Sequence, residues 1–162
     1  MLKKEMEQAL NEQMNKEFTS AYIYAAMAAD FAAKDYNGFS RWMIAQAREE
    51  MGHGQKIYHF ILERGGRPLY DSIEKPQEQW DSVLAVFEHA LKHERFITKS
   101  IDELVNLSRK LDDKATEIFL QWFVSEQVEE ESTVESILVK FEQAGLDNRG
   151  LYLLDKELGA RE

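Results

Sequence analysis

Residues 39–60 read FSRWMIAQAREEMGHGQKIYHF, and this stretch decides the fold. Steps of four and three residues along it define one helix face, which holds Phe39, Met43, Gln46, Glu50, His53, Ile57 and Phe60. A face with this period is typical of an amphipathic helix that packs against a core. The face is apolar at both ends, but its middle carries Glu50 and His53 one turn apart. Polar groups of metal-ligand type are therefore predicted inside the core, with Gln46 hydrogen-bonded to them.

Three more apolar faces with the same period lie elsewhere in the chain, at residues 10–31, 84–104 and 116–141. Each of them is also interrupted near its middle by acid or amide: by Glu17, by Glu94, and by Gln127 with Glu130. Four such faces predict an all-α fold, a four-helix bundle in which the interruptions meet at one level of the interior.

The interrupting residues keep a constant separation. Glu17 lies 33 residues before Glu50, and Glu94 lies 33 residues before Gln127, so that a shift of 77 positions maps the first pair onto the second. The second member of each pair starts a four-residue motif with i, i+3 spacing. The repeat indicates a duplicated helix pair that carries metal-ligand residue types.

Four carboxylates at one buried level need a compensating charge. Burying an ionised carboxylate costs several kcal/mol even after relaxation, and the four faces contain no lysine or arginine at these positions. Protons or metal ions remain as the compensating charge, and two divalent cations would roughly balance the four carboxylates. Oxygen ligands with one imidazole suit iron or manganese better than copper.

Composition and charge exclude several classes of protein. The 162 residues, 44% of them hydrophobic, predict a single domain over residues 1–162. The chain has no cysteine, which excludes disulfide scaffolds, iron–sulfur centres and thiolate zinc sites and fits a cytoplasmic location. No apolar run reaches the roughly 18 residues of a membrane span, and no signal-peptide core follows Met1, so a soluble protein without membrane contact is expected. The net charge of −10 disfavours nucleic acid as a partner.

The helices are predicted to begin and end at recognisable signals. The bundle covers about residues 2–144. The first helix is expected over about 2–33, and the second begins near Asn37 or Ser40 and stops at Gly65-Gly66. The third helix is expected over about 81–109, and the fourth is capped by Asp112 or Asp113 and continues to about residue 144. Residues 67–80 contain both prolines and form a long crossover between the second and third helices. A short fifth helix is expected over about residues 151–158. It is too short to be stable alone, so it must dock on its own bundle or on another subunit.

At this point the residues resemble a known family, the non-haem ferritins of bacteria and archaea. The resemblance covers nearly the whole chain, and its motifs are Gln13-Met14-Asn15-Lys16-Glu17, Glu49-Glu50-Met51-Gly52-His53, Lys92-His93-Glu94, Gln121 to Gln127, Glu129 with Glu130, and Gly150-Leu151-Tyr152. Di-iron bundles of this kind commonly take a lone Glu from each of two helices and Glu-x-x-His from each of the other two. The chain departs from that pattern where Gln127 and Glu130 replace the second Glu-x-x-His.

The resemblance implies a set of iron ligands. Glu17, Glu50 and His53 would hold the first iron, with Glu50 bridging to a second iron held by Glu94 and Glu130. Gln127 would lie close by, and the second iron would be held more weakly. A third iron site would take the acids Glu49, Glu126, Glu129 and Glu130. Tyr24, seven residues after Glu17 on the same face, would bond a ligand or donate an electron.

The implied reaction is the oxidation of two ferrous ions by O2 or H2O2, followed by storage of ferric mineral. By the same resemblance, twenty-four copies form a hollow shell, and the short last helix lines its four-fold channels. Met51 lies where bacterioferritins bind haem between subunits. A packing role is expected for it here, and haem is not expected as a cofactor.

Three other functions compete with this interpretation. A rubrerythrin-like di-iron peroxidase is disfavoured because the chain has no cysteine for the usual rubredoxin-like centre. A DNA-protecting mini-ferritin is disfavoured by the acidic charge and the terminal helix. A structural shell subunit without an active centre would leave the buried acids unexplained.

Overall fold

The computed structural model describes residues 1–160, and these residues form five α-helices. Their bounds are Lys4–Ala33 for α1, Asn37–Glu63 for α2, Val83–Lys110 for α3, Lys114–Ala144 for α4 and Asn148–Leu158 for α5. No strand occurs within the described residues. The predicted all-α bundle with a long crossover and a short fifth helix is therefore confirmed.

Side-chain caps explain where three of the helices begin. Ser82 accepts a hydrogen bond from the backbone N–H of Ala85, so α3 starts two residues later than expected. Asp113, not Asp112, caps α4 through the N–H of Thr116. Asp147 accepts from the N–H of Gly150, and this cap starts α5 at Asn148, three residues before the predicted start.

The crossover, residues 64–82, runs along the full length of α1. At one end, Asn11 donates to the carbonyl of Arg67 at 3.1 Å, and Asn15 donates to that of Leu69 at 2.7 Å. At the other end, Lys34 donates to the carbonyl of Trp80 at 2.8 Å. The segment thus returns the chain from the end of α2 to the opposite end of the bundle, which the pairing of two hairpins, α1 with α2 and α3 with α4, requires.

The fifth helix docks on its own bundle. Leu154 and Leu158 are buried against the apolar cluster that includes Phe39. The N–H of Phe39 donates to Asp155 Oδ1 at 2.8 Å, at the start of α2, where the N-cap residue Tyr36 supplies no side-chain bond. A Cβ on Gly38 would lie 1.7 Å from the backbone oxygen of Asp155, so the close approach of α5 requires glycine there.

The bundle interior consists of two apolar clusters. One holds Tyr24, Phe31, Phe87 and Phe141 among its members, and the other holds Met6, Leu10, Ile101 and Leu120. The predicted polar residues lie between them along each helix. Within residues 1–160, no helix is both long and apolar enough to cross a membrane.

Candidate metal centre

The six polar residues predicted for the middle of the bundle come together as a buried cluster. Each of the four long helices contributes: Glu17 from α1, Glu50 and His53 from α2, Glu94 from α3, and Gln127 and Glu130 from α4. None of the six is more than 6% exposed. The apolar residues above and below fix this level, because each helix places its polar residue in the middle of an otherwise apolar face.

Two groups of candidate ligands share one residue. Glu17, Glu50 and His53 each offer one ligand atom within 4.8 Å of the others, and so do Glu50, Glu94 and Glu130. His53 Nδ1 lies 3.3 Å from Glu50 Oε2 and 3.9 Å from Glu17 Oε2. Since Glu50 belongs to both groups, it stands where a bridging ligand would have to stand.

Three buried atoms of the first group have no hydrogen-bond partner among the described residues. They are Glu17 Oε2, Glu50 Oε1 and His53 Nδ1. Buried polar atoms of folded proteins are nearly always paired, so atoms of this kind require a reason. Two carboxylates and one imidazole that each offer a ligand atom within 4.8 Å of the others fit a divalent cation, and His53 would bind it through Nδ1.

The second group, by contrast, is held by protein donors. Gln127 Nε2 donates to Glu94 Oε2 at 3.1 Å, and Tyr24 donates its hydroxyl proton to Glu94 Oε1. Gln46 Nε2 donates to Glu130 Oε2 at 2.8 Å, which confirms the hydrogen-bonding role predicted for Gln46. The carboxylates of Glu94 and Glu130 therefore already have a fixed orientation.

Burial and mutual repulsion hold protons in the cluster. Burial, followed by the charge of Glu50, raises the pKa of Glu17 to about 8. Burial and the charges of Glu94 and Glu130 raise the pKa of Glu50 well above its ordinary value. Burial, and then the charge of Glu94, raises the pKa of Glu130 to about 7. Without a cation, protons supply much of the compensating charge, and cation binding must release them.

Of the four acids predicted for a third iron site, Glu126 and Glu130 belong to one compact group of candidate ligands among the described residues, whereas Glu49 and Glu129 belong to none. Glu126 is partly buried, forms a group with His53 and Glu130, and places Oε1 3.8 Å from His53 Nε2. Glu49 and Glu129 are exposed and lie outside the compact groups found among the described residues. Glu49 is still close enough to raise the pKa of both Glu50 and Glu130.

Tyr24, His89 and His93 have hydrogen-bond partners of their own. Burial raises the pKa of Tyr24 well above 10, so its hydroxyl stays protonated and can donate to Glu94. His93 Nε2 lies 2.7 Å from Ser20 Oγ, and His89 Nδ1 accepts from the indole of Trp80 at 2.9 Å. Neither histidine belongs to a candidate ligand group within the described part of the chain.

Gln13, Lys16 and Ser100 also contribute to this region, although the helix periodicity indicates no role for them; Gln13 and Lys16 belong to the motif Gln13-Met14-Asn15-Lys16-Glu17. Gln13 Nε2 donates to Glu17 Oε1 at 2.8 Å, and Ser100 and Lys16 continue the bonding outward. The i, i+4 spacing of Gln13 and Glu17 is a signal for this contact. Ser100 lies on another helix, and nothing in the sequence connects it to Glu17.

Comparisons with known proteins show the family to which the chain belongs. The chain matches the model of the ferritin-like domain family over residues 7–144. It is 45% identical to the bacterial non-heme ferritin of Staphylococcus epidermidis, over 99% of this chain and 97% of the relative, and 42% identical to that of Staphylococcus aureus with the same coverage. Its structure is similar to an open pore ferritin from the hyperthermophilic archaeon Archaeoglobus fulgidus, with a TM-score of 0.98 and 46% identity over the whole of both chains.

Proposed function

Because this chain belongs to the ferritin family, we propose that it is an iron-storage protein with ferroxidase activity, which oxidises ferrous ions at the buried cluster of α1 to α4. The observation that carries this proposal is the group of three unpaired atoms on Glu17, Glu50 and His53. A structural subunit would gain stability if apolar residues replaced these groups. A cation-binding centre needs them.

Two ferrous ions are the substrate. The first is held by Glu17, Glu50 and His53, and the second by Glu50, Glu94 and Glu130, with Glu50 contacting both. Each ion gives up one electron, and the two electrons reduce O2 to hydrogen peroxide, or hydrogen peroxide to water, with two protons taken up. The carboxylates stabilise the higher charge of the ferric products, since acidic oxygen ligands favour Fe(III) over Fe(II).

The asymmetry of the centre supports release of iron after oxidation. The second half lacks an imidazole, and Gln127 and Gln46 already occupy one oxygen each of Glu94 and Glu130. We infer that ferric ions leave by way of Glu126, toward the acids Glu49 and Glu129, and collect as mineral inside a shell of twenty-four subunits.

Stopped-flow absorbance tests the proposal. The apoprotein is mixed with two ferrous ions per chain in aerated buffer, beside a Glu50→Ala, His53→Ala variant. The matched control is Glu63→Ala, His59→Ala, which removes the same residue types from exposed positions of α2. We expect a fast ferric signal in the parent and the control, and its loss in the first variant. Equal slow rates in all three would leave a structural or binding role instead.

A parallel experiment identifies the oxidant. The ferrous protein is prepared without oxygen and then mixed with either O2 or H2O2 at equal concentration. A ferric signal that is fast with H2O2 and slow with O2 would favour the rubrerythrin-like alternative, in which peroxide reduction is the main activity.

A further inference from the structure

A chain of hydrogen bonds connects Glu17 with the outside of the bundle between α1 and α3. Lys16 Nζ donates to Ser100 Oγ at 2.6 Å, Ser100 Oγ donates to Gln13 Oε1 at 2.5 Å, and Gln13 Nε2 donates to Glu17 Oε1 at 2.8 Å. We call these three residues, Lys16, Ser100 and Gln13, the relay.

The donors of the relay all point in one direction. Ser100 and Gln13 each accept from the outer neighbour and donate to the inner one, so the series begins at the ammonium group of Lys16 and ends at the carboxyl group of Glu17. Hydrogen bonds arranged in this way polarise one another, and burial strengthens the effect. Gln13 is 1% exposed and Ser100 is 5% exposed, whereas Lys16 is half-buried and reaches solvent.

At the inner end of the relay, the two oxygens of Glu17 have different surroundings. Oε1 accepts from Gln13, while Oε2 accepts no hydrogen bond within the described residues and lies 3.9 Å from His53 Nδ1. An amide on one oxygen fixes the rotation of the carboxylate, so the other oxygen faces the ligand group before a cation arrives.

We propose that Lys16, Ser100 and Gln13 act as positioning residues, which hold Glu17 with Oε2 directed at the cation and thereby set the affinity of the Glu17–Glu50–His53 group. The inference deepens the proposed function, since it concerns the same centre, but it needs only cation binding and not iron oxidation. Lys16 and Ser100 contact neither the cation nor the oxidant, so they act only through Gln13.

Co(II) is a suitable probe, because it occupies oxygen–nitrogen sites, is not oxidised by air under mild conditions, and has visible absorption bands that depend on ligand geometry. Co(II) alone is titrated into the full-length apoprotein at pH 7. We expect Gln13→Leu to lower the affinity for the first Co(II) about tenfold and to alter the absorption bands of the bound ion. Ser100→Ala and Lys16→Met are each expected to lower this affinity about threefold.

Two serine variants separate positioning from packing. Ser108 is a matched control, because it lies on the same helix, is fully buried and donates only to the backbone carbonyl of Val105. Ser108→Ala should leave Co(II) affinity and spectrum unchanged. Ser100→Thr keeps the hydroxyl at a position that lines a surface cavity of about 200 Å³, and we expect this variant to retain the parent affinity. Equal Co(II) affinity in Ser100→Ala and Ser108→Ala would overturn the proposal.

The double variant tests whether Lys16 acts through the relay. If it does, Lys16→Met has no further effect when Ser100→Ala is already present. An undiminished effect of Lys16→Met in that background would show that its charge acts through space and would overturn the role assigned to Lys16. Lys16 is partly exposed, so its replacement leaves the core intact.

The relay and the proposed function can fail separately. If Co(II) affinity depends on Ser100 but the parent protein does not oxidise Fe(II), the relay stands and the ferroxidase function falls. If Fe(II) is oxidised rapidly but Ser100→Ala binds Co(II) like the parent, only the relay falls.

Discussion

The two halves of the metal centre share a sequence repeat but differ in how their polar atoms are satisfied. In the α1–α2 half, Glu17, Glu50 and His53 each leave one buried atom unpaired among the described residues. In the α3–α4 half, Tyr24 and Gln127 hold Glu94, and Gln46 holds Glu130. The first half is thus built for an added cation, whereas the second half is already stabilised without one.

The difference shows how one centre can combine firm binding with release. Unpaired buried atoms in the first half are costly, so a cation that binds there gains the most free energy. In the second half a cation must compete with hydrogen bonds that already exist, so it gains less. We therefore expect the two cations to bind in sequence, the first at the α1–α2 half.

The largest expected effect concerns the stability of the apoprotein as a function of pH. Glu17 has a pKa near 4.5 when unfolded and about 8 when folded, so the folded state binds the extra proton between these values. The contribution of this proton to the free energy of unfolding is fully present below the lower pKa and is lost as the pH rises toward the upper one. The loss is about 1.4 kcal/mol per pH unit for each such proton, or about 5 kcal/mol for Glu17 over the whole window. Thermal or urea unfolding at several pH values measures this slope.

Glu17→Gln should reduce that slope by the contribution of one proton, which is about 1.4 kcal/mol per pH unit. Glu12→Gln, at an exposed position of the same helix, should leave the slope unchanged. Two equivalents of Co(II) should flatten the pH dependence, because the cation replaces the protons. A slope that is the same in both variants would mean that Glu17 is already ionised in the apoprotein.

The second prediction removes the residue common to both halves. Glu50→Gln eliminates a ligand from each group and should lower the initial rate of ferric formation by about 100-fold or more. Stopped-flow absorbance gives the rate, and Co(II) titration should show a lower affinity for both the first and the second Co(II) ion. If only the affinity for the first Co(II) ion falls, Glu50 does not bridge the two cations, and each half binds its cation independently.

The third prediction makes the second half more like the first. Gln127→Glu with Glu130→His restores Glu-x-x-His on α4 and removes the donor that Gln127 supplies to Glu94. We expect the second Co(II) to bind about tenfold more tightly, a gain of about 1.4 kcal/mol, while the first changes little. Transfer of ferric ion to an external chelator should become slower. Unchanged affinity for the second cation would show that its weakness has another cause.

The smallest expected effect comes from Tyr24→Phe, which leaves Glu94 Oε1 without its hydroxyl donor. A hydrogen bond of this kind contributes about 1 kcal/mol, so the oxidation rate and second-cation affinity should change by only about three- to fivefold. Tyr22→Phe is the control, since Tyr22 is exposed on the same helix. A much larger loss of rate, specific to Tyr24, would indicate that the phenol donates an electron.

The periodicity of the sequence predicted most of the fold, because buried faces leave a strong pattern. The apolar face around Glu50 and the constant separation of 33 residues sufficed for the bundle and for the level of the centre. The beginning of α5 was predicted less well. Its cap at Asp147 depends on a single side-chain bond, and many aspartates could form such a bond.

The candidate ligands could also be chosen from the sequence, since acids on apolar faces are rare. Most of the hydrogen bonds to these ligands could not be predicted, apart from those expected of Gln46 and Tyr24. The contacts of Gln13 with Ser100 and of Gln127 with Glu94 depend on which helices are neighbours and on their relative height. Residue types alone do not contain that information, so the difference between the two halves became visible only in three dimensions.

The contact between Asp155 and the start of α2 has a consequence for synthesis on the ribosome. The second helix has no side-chain cap of its own, and the carboxylate that accepts the N–H of Phe39 is 116 residues farther along the chain. Because translation is vectorial, a nascent chain that already contains all the candidate iron ligands still lacks this carboxylate. The N–H of Phe39 therefore gains this acceptor only after the segment that contains Asp155 has been synthesised and has left the exit tunnel.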